Sequence, residues 1–267
     1  KLMNAQVAGV MLTCPNTHGL FEPRVAEMAA LAHEHGALMY YDGANLNAIV
    51  GRCRPGDLGF DVMHFNLHKT FATPHGMGGP GSGAIAVNET LVPYLPNPRV
   101  VKRDGVYTLA SHETSIGPVA PFFGNFLVAV RAYAYLLTMG DAGLKAVSAA
   151  ATVNANYVLA RLKDRWQPAF DGLCMHECLL TAAPQAAAHG IRALDVAKAL
   201  LDHGFHAPTI YFPLTVKEGL MIEPTETESR ETLDAFCDVM REIARLAEEN
   251  AETLHNAPTT LPVGRLD

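Results

Sequence analysis

The feature that most restricts how this chain can fold is an alternation near its start. An apolar run from Val7 to Thr13 gives way to a helical pattern from Pro23 to His35, and that to a second apolar run from Ala37 to Asp42. Strand, helix, strand is the pattern of a parallel pair with a covering helix, and it predicts an α/β protein. The helix carries Val25, Met28, Ala29, Leu31 and Ala32 on one side, and Gly36 stands where it should end. Asp61 to Asn66 and Ala84 to Val87 read as two further strands.

Beyond the proline-rich stretch Pro93 to Pro98 the pattern turns helical, over Asn125 to Met139 and again over Ala142 to Lys163, with Gly140 between them. A strand near Leu173 to Thr181, a helix over Ala193 to His203, strands near Thr209 to Leu214 and Leu220 to Ile222, and a helix from Glu228 to Asn250 follow. These divide the chain into a large domain with a linking helix, residues 1–140, and a smaller α+β domain, residues 141–267. Thr225 or Thr227 can cap the last helix, with Glu228 and Glu231 at its positive end. Ala29, Leu31, Val128, Tyr133, Leu136 and Leu137 are expected in the core. No internal repeat and no low-complexity tract is found.

Composition excludes several classes. With 267 residues, 49% hydrophobic and 18% charged, the chain can bury a substantial core and is not a disordered segment. Its longest apolar run, Pro118 to Val130, is interrupted by Gly124 and Asn125 and falls short of the roughly 18 residues of a bilayer span. Lys1 to Pro15 has a basic start like a signal peptide but lacks a small-residue cleavage site, and reads as a strand. A net charge of -7 argues against a nucleic-acid surface. Five scattered cysteines, Cys14, Cys53, Cys174, Cys178 and Cys237, do not form a secreted disulfide framework and fit a reducing compartment. Both ends look cut: Lys1 precedes a core strand directly, and Asp267 closes an irregular tail.

The chemistry centres on two segments. Tyr40-Tyr41-Asp42-Gly43-Ala44-Asn45 ends one strand, and His64-Phe65-Asn66-Leu67-His68-Lys69-Thr70-Phe71 runs just past the next. Ligand sites of open α/β sheets collect outside the carboxyl ends of strands, so Asp42 and Lys69 are expected to converge on one crevice. A pyridoxal cofactor needs a lysine amine to hold it as an imine and an acid to keep its ring nitrogen protonated. Gly43 and Ala44 would let backbone approach a flat ring. Each residue also has an ordinary reading: an aspartate at a strand end as a turn or cap residue, a lysine as a solvated charge.

Four segments then carry a resemblance. Asp42-Gly43-Ala44-Asn45, Asn66-Leu67-His68-Lys69-Thr70-Phe71, Pro74-His75-Gly76-Met77-Gly78-Gly79-Pro80-Gly81 and Met221-Ile222-Glu223-Pro224-Thr225-Glu226-Thr227-Glu228 resemble the decarboxylating glycine dehydrogenase family, the P-protein of glycine cleavage. Tyr157 to Leu162 and Gly204-Phe205-His206 agree as well. The match is to the C-terminal half of one-chain members, or to most of the second subunit of two-subunit members. The resemblance implies the pyridoxal-phosphate-dependent transferase fold of the aspartate aminotransferase type, with a partial large domain and a smaller C-terminal α+β domain. It makes Lys69 the Schiff-base lysine and Asp42 the ring-nitrogen partner, with Ala44 beside the cofactor. The segment Thr13 to Gly19 matches a family loop next to the cofactor, where Asn16 or Thr17 would bond its phenolic oxygen. His18 and His68 are further candidates, His68 equally readable as a structural histidine. The family segment that supplies the phosphate-binding loop and the ring-stacking residue precedes this sequence, so the large domain should lack strands and expose a sheet edge.

The implied reaction is decarboxylation of glycine with transfer of its aminomethyl group to the lipoyl arm of the H-protein. An N-terminal subunit or domain, a dimer or heterotetramer, and a bacterial cytoplasm or mitochondrial matrix go with it. Two rivals stand beside it: a noncatalytic piece that docks with an N-terminal partner, and another amino-acid decarboxylase or cysteine desulfurase of the same fold.

Other signals are set aside. Gly76 to Gly81 fits a dinucleotide pattern formally, but Pro80 and the run Ala84 to Val87 indicate loop into strand, with His75 at the mouth. His64 and His68 are spaced like zinc ligands on a helix, yet Phe65 stands where metalloproteases place glutamate, and on a strand the pair diverges. Cys174, His176 and Cys178 alternate and could share a face toward a soft metal, but small thiols packed in a half-buried strand explain them better, and no metal site is assigned. Met221 to Glu228 reads as a turn starting the last helix, with a substrate or carrier-protein contact as the other reading.

Overall fold

The computed structural model describes residues 2–266; Lys1 and Asp267, the two ends read above as cut, lie outside the described residues. The chain forms two compact units. One holds the residues up to Cys14 together with Glu22–Leu144, the other Pro15–Phe21 together with Lys145 onward.

In the first unit, strand β1 (Gly9–Thr13), helix α1 (Val25–Glu34) and strand β2 (Leu38–Gly43) make the expected crossover, with β1 and β2 parallel. Strand β3 (Val62–Asn66) adds in parallel to β2, a single helical turn α2 (Leu67–Thr70) follows it, and β4 (Gly83–Val87) runs antiparallel to β3. The sheet order β1-β2-β3-β4 leaves β1 and β4 as edges. Gly36 ends α1 as read: at φ 76° it lets its own N–H bond the His33 carbonyl while the Ala37 N–H reaches Ala32. The buried stripe of α1 is narrower than the sequence implied. Val25, Ala29 and Ala32 face the sheet, whereas Met28 and Leu31 sit on the flank, exposed. Small residues at a spacing of three to four let the helix lie close, which leaves no room for larger side chains beneath it.

A hairpin of β5 (Arg99–Arg103) and β6 (Val106–Ala110) was not predicted. Its two-residue connection is Asp104-Gly105, both at positive φ, the geometry that matches the twist of a hairpin. The long helix α3 (Phe126–Leu162) is interrupted at Gly140, as the sequence suggested, where φ is 58° and ψ is -174°. Val128 is buried in its early half, but the expectation for its neighbours fails: Tyr133 and Leu137 are exposed and Leu136 is only half-buried. That half of α3 turns one apolar stripe inward and leaves a second uncovered.

The second unit is an antiparallel sheet, β7-β8-β10-β9, of strands β7 (Gln167–Pro168), β8 (Cys178–Thr181), β9 (Thr209–Ile210) and β10 (Gly219–Ile222). Helices α4 (Ala183–His189), α5 (Ala193–Asp202), α6 (Arg230–Glu249) and α7 (Ala251–Asn256) complete it. Two predicted strands are shorter than read, since Leu173 and Leu214 are exposed. The core gathers Trp166, Leu180, Leu200, Leu220, Met240 and Ile243, and the Trp166 Nε1–H donates to the Met240 carbonyl at 3.0 Å. The cap of α6 also differs from the reading. Ser229 accepts the Thr232 N–H, while the hydroxyls of Thr225 and Thr227 bond each other. The helix starts at Arg230 with Glu231 in its first turn, where its own backbone N–H first, and the Ser229 side chain second, hold its carboxyl pKa below the ordinary value.

Trp166 is the single tryptophan and lies against Met240. Met240→Ala should cost about 2–5 kcal/mol and shift the urea midpoint of Trp166 fluorescence downward; an unshifted midpoint would mean that this core is not packed as described.

Candidate active site

Register puts the candidate groups together. In the β2/β3 ladder Asp42 lies opposite His64 and Gly43 opposite Phe65. A side chain at Gly43 would meet the His64 carbonyl oxygen at 2.1 Å, so only glycine lets the strands pass there. The His64 Nε2 approaches the Asp42 Oδ1 at 3.3 Å, and the Tyr40 hydroxyl sits 2.8 Å from the His64 Nδ1. The Ala44 N–H donates to the same Asp42 oxygen at 3.0 Å, closing a turn that fixes the carboxylate at the strand end. Asp42 and His64 each keep 26% of their side-chain surface open. The carboxylate is therefore held by neighbours and still reachable.

Lys69 stands in α2, immediately past the carboxyl end of β3, with its side chain exposed. Asp42 and Lys69 thus occupy the carboxyl ends of adjacent parallel strands, where α/β sheets bind ligands. The residues flanking the lysine are unusual. The His68 Nδ1, Thr70 Oγ1 and Thr73 Oγ1 are buried and make no hydrogen bond among the described residues. Orphaned buried polar atoms are uncommon because each costs about 1–3 kcal/mol. All three belong to residues within four positions of Lys69 in the chain. Burial first, and His75 second, hold the His68 pKa below its ordinary value; the two rings lie 4.6 Å apart.

Asn16, Thr17 and His18 belong to the second unit. The Asn16 Oδ1 accepts the N–H groups of His18 and Leu20, so it shapes its own loop. His18 bonds the Thr215 hydroxyl at 2.8 Å and stacks obliquely on Phe170, and Thr17 is exposed. His64 and Tyr40 were not among the residues picked from the sequence. The signal was present: two strands in parallel, ending in Asp42 and Asn66, bring His64 beside Asp42 once the register is known.

The glycine-rich stretch behaves as loop into strand. Gly76 and Gly78 have positive φ, the His75 Nδ1 accepts the Gly78 N–H, and β4 follows. His64 lies on β3 and His68 in α2, so they do not pair as zinc ligands would on one helix. Cys174 and Cys178 are buried in the core, and burial pushes the Cys174 thiol up to about 11 and raises Cys178 well above its ordinary value, which keeps both protonated. They pack as small apolar groups.

Solved structures define the class. The fold matches, at a TM-score of 0.75 and 24% identity over 90% of this chain and 55% of the other, a crystal structure of glycine decarboxylase, the P-protein of the glycine cleavage system, in an inhibitor-bound form. A cysteine desulfurase from Thermococcus onnurineus NA1 follows at a TM-score of 0.67, 17% identity and 88% and 60% coverage. A serine palmitoyltransferase from S. paucimobilis with a bound PLP-myriocin aldimine matches at 0.59, 15% identity and 90% and 55% coverage. The chain has the fold of pyridoxal-phosphate-dependent enzymes, in accord with its sequence.

Sequence relatives narrow this further. Residues 147–260 match the family model of the glycine dehydrogenase C-terminal domain. A protein named "Probable glycine dehydrogenase (decarboxylating) subunit 2" from Chlorobium chlorochromatii (strain CaD3) is 56% identical over 99% of this chain. The protein of that name from Thermotoga maritima (strain ATCC 43589 / DSM 3109 / JCM 10099 / NBRC 100826 / MSB8) is 53% identical over all of it. The resemblance to glycine dehydrogenase drawn from four motifs therefore holds along the whole chain. The chain spans about half the length of these relatives, 55% and 56% respectively.

A depressed histidine pKa means that the unfolded chain takes up its proton first as pH falls. His68 therefore contributes stability above the ordinary histidine range and loses it as pH drops through its lower folded pKa. The His68 C2–H resonance, assigned by its disappearance in His68→Gln, should titrate below pH ~6.5; a midpoint at or above that value would contradict the burial described.

Proposed function

We propose that this chain is part of a glycine dehydrogenase (decarboxylating) and carries the lysine and the acid that hold its pyridoxal phosphate. The observation that supports this most directly is the placement of Asp42 and Lys69 at the carboxyl ends of adjacent parallel strands, within a sequence 56% identical to a glycine dehydrogenase subunit 2. When bound, pyridoxal phosphate supplies an aldehyde for a covalent link to an amine and a ring that accepts the electrons released as a carboxylate leaves.

The chain's own groups divide the work. Lys69, exposed on its helical turn, would give the amine that holds the cofactor. Asp42 would favour a proton on the ring nitrogen through its negative charge. His64 and the Ala44 N–H hold that carboxylate in place, and the Tyr40 hydroxyl in turn steadies His64. His68, depressed in pKa and thus uncharged near neutral pH, offers a hydrogen bond beside the amine without competing for the cofactor's negative groups.

In this reading the acceptor would be the lipoyl disulfide of a carrier, the H-protein, whose S–S bond would break so that one sulfur takes the aminomethyl carbon and the other becomes a thiol. The remaining partners in this reading are an N-terminal subunit, assembly as a dimer or heterotetramer, and a bacterial cytoplasm. No helix among the described residues is long and apolar enough to cross a membrane.

Surface features favour the docking role as a second reading of the chain alone. The first unit exposes Phe122, Phe123, Phe126, Leu127, Tyr133 and Leu137, more apolar surface in one stretch than a free-standing domain usually shows. Purified chain given pyridoxal phosphate should stay colourless and gain the cofactor's absorbance when the N-terminal subunit is added; colour without that subunit would assign the whole site to this chain.

In the assembled enzyme, Lys69→Ala should remove the borohydride-trappable link to the cofactor and abolish glycine-dependent carbon dioxide exchange. Asp42→Asn should retain the link and lose about 10²–10³-fold in turnover, the scale of one misplaced electrostatic partner. Exchange that persists in Lys69→Ala would overturn the assignment, and exchange with another amino acid in place of glycine would move the chain to a different decarboxylase.

A further inference from the structure

The second unit holds a cluster that its core packing does not account for. The β8/β10 ladder ends with Cys178 opposite Ile222. Just outside it lie Glu177, which precedes β8, and Glu223, which follows β10. Between them stands His176, 1% exposed, with neither ring nitrogen in a hydrogen bond. Its Nε2 lies 3.6 Å from the Glu177 Oε1 and 4.0 Å from the Glu223 Oε1. All three donor atoms fall within 4.8 Å of one another.

We propose that His176, Glu177 and Glu223 form a binding site for a divalent transition-metal ion, of which Zn²⁺ is the type. The donors suit it: one imidazole and two carboxylates are the ligand types that three-coordinate protein zinc sites use, with a water in the fourth position. Small side-chain rotations bring atoms at these separations to the ~2.1 Å of a metal–nitrogen or metal–oxygen bond. Burial lowers the His176 pKa to about 4, so the ring presents a lone pair at neutral pH. The site is firmly backed. Loop residue Gly19 packs on the Glu177 carbonyl, where any added Cβ would come within 2.1 Å, and its own carbonyl accepts the Met175 N–H at 2.7 Å. Access is from the other side, because the Glu223 side chain is 44% exposed and borders a cleft of about 290 Å³ lined also by Phe205, His206, Met221 and Phe236. The alternating Cys174 and Cys178 take no part; the metal-binding partners of His176 are acids flanking two strands that only the fold brings together.

The test uses the full-length subunit in complex with its partner, stripped with chelator and titrated with Zn²⁺ and with Co²⁺ as a spectroscopic probe. One equivalent should bind per chain, raise the melting temperature and give the visible ligand-field bands of Co²⁺ in a nitrogen and oxygen site. Glu223→Gln, at a half-exposed position, and His176→Gln should each weaken binding by at least about 10-fold, with circular dichroism unchanged. The proposal is overturned if neither ion binds, or if binding survives both substitutions. It is equally overturned if the Co²⁺ spectrum shows the thiolate charge-transfer bands of a cysteine site.

Discussion

The closeness with which β2 passes β3 governs the candidate site. Gly43 is what permits it, since a single methyl group there would collide with the His64 carbonyl. With the strands in that register, Asp42 meets His64, and the helical turn that begins where β3 ends carries Lys69 to the same end of the sheet. Carboxylate and amine come from consecutive strand–turn segments that parallel pairing brings side by side. The spacing of the two strand ends is therefore set by backbone hydrogen bonds.

The two units rest on different physics. In the first, a short sheet is covered by a helix whose contact face is mostly alanine, and a good part of the apolar surface stays open. The second has a continuous core built around Trp166, where strongly amphipathic α6 closes over the antiparallel sheet. A unit of that kind can afford unusual polar groups at its margin, and the His176 cluster lies at one, just where the β8/β10 ladder stops.

Much of this was legible in the amino-acid order. The crossover, the break at Gly140 and the helical stop at Gly36 could be read because glycine and the alternation of apolar runs act locally. Asp42 and Lys69 could be picked because strand ends are visible in sequence. Other features depend on pairing, which sequence spacing does not report. His64 was weighed only against His68, its neighbour in the chain, whereas its true neighbour is Asp42 on the next strand. Likewise His176 was weighed with the alternating cysteines, while the fold sets it against Glu177 and Glu223. The β5/β6 hairpin was missed although Asp104-Gly105 is a strong turn signal, because its strands are short and exposed. Exposure of Leu31, Tyr133 and Leu137 was missed for the opposite reason: apolar side chains were assumed to be covered.

The route of the chain carries a last consequence. Residues 15–21 leave the first unit, join the second and return, so neither unit is one uninterrupted stretch. The matched family region begins only at residue 147 and omits that excursion. A piece of protein cut to that boundary would lack the glycine carbonyl that receives the Met175 N–H and the turn that roofs Glu177. The C-terminal domain as sequence comparison delimits it is thus missing a wall that the chain supplies more than a hundred residues earlier, and the gap would open beside its most deeply enclosed histidine.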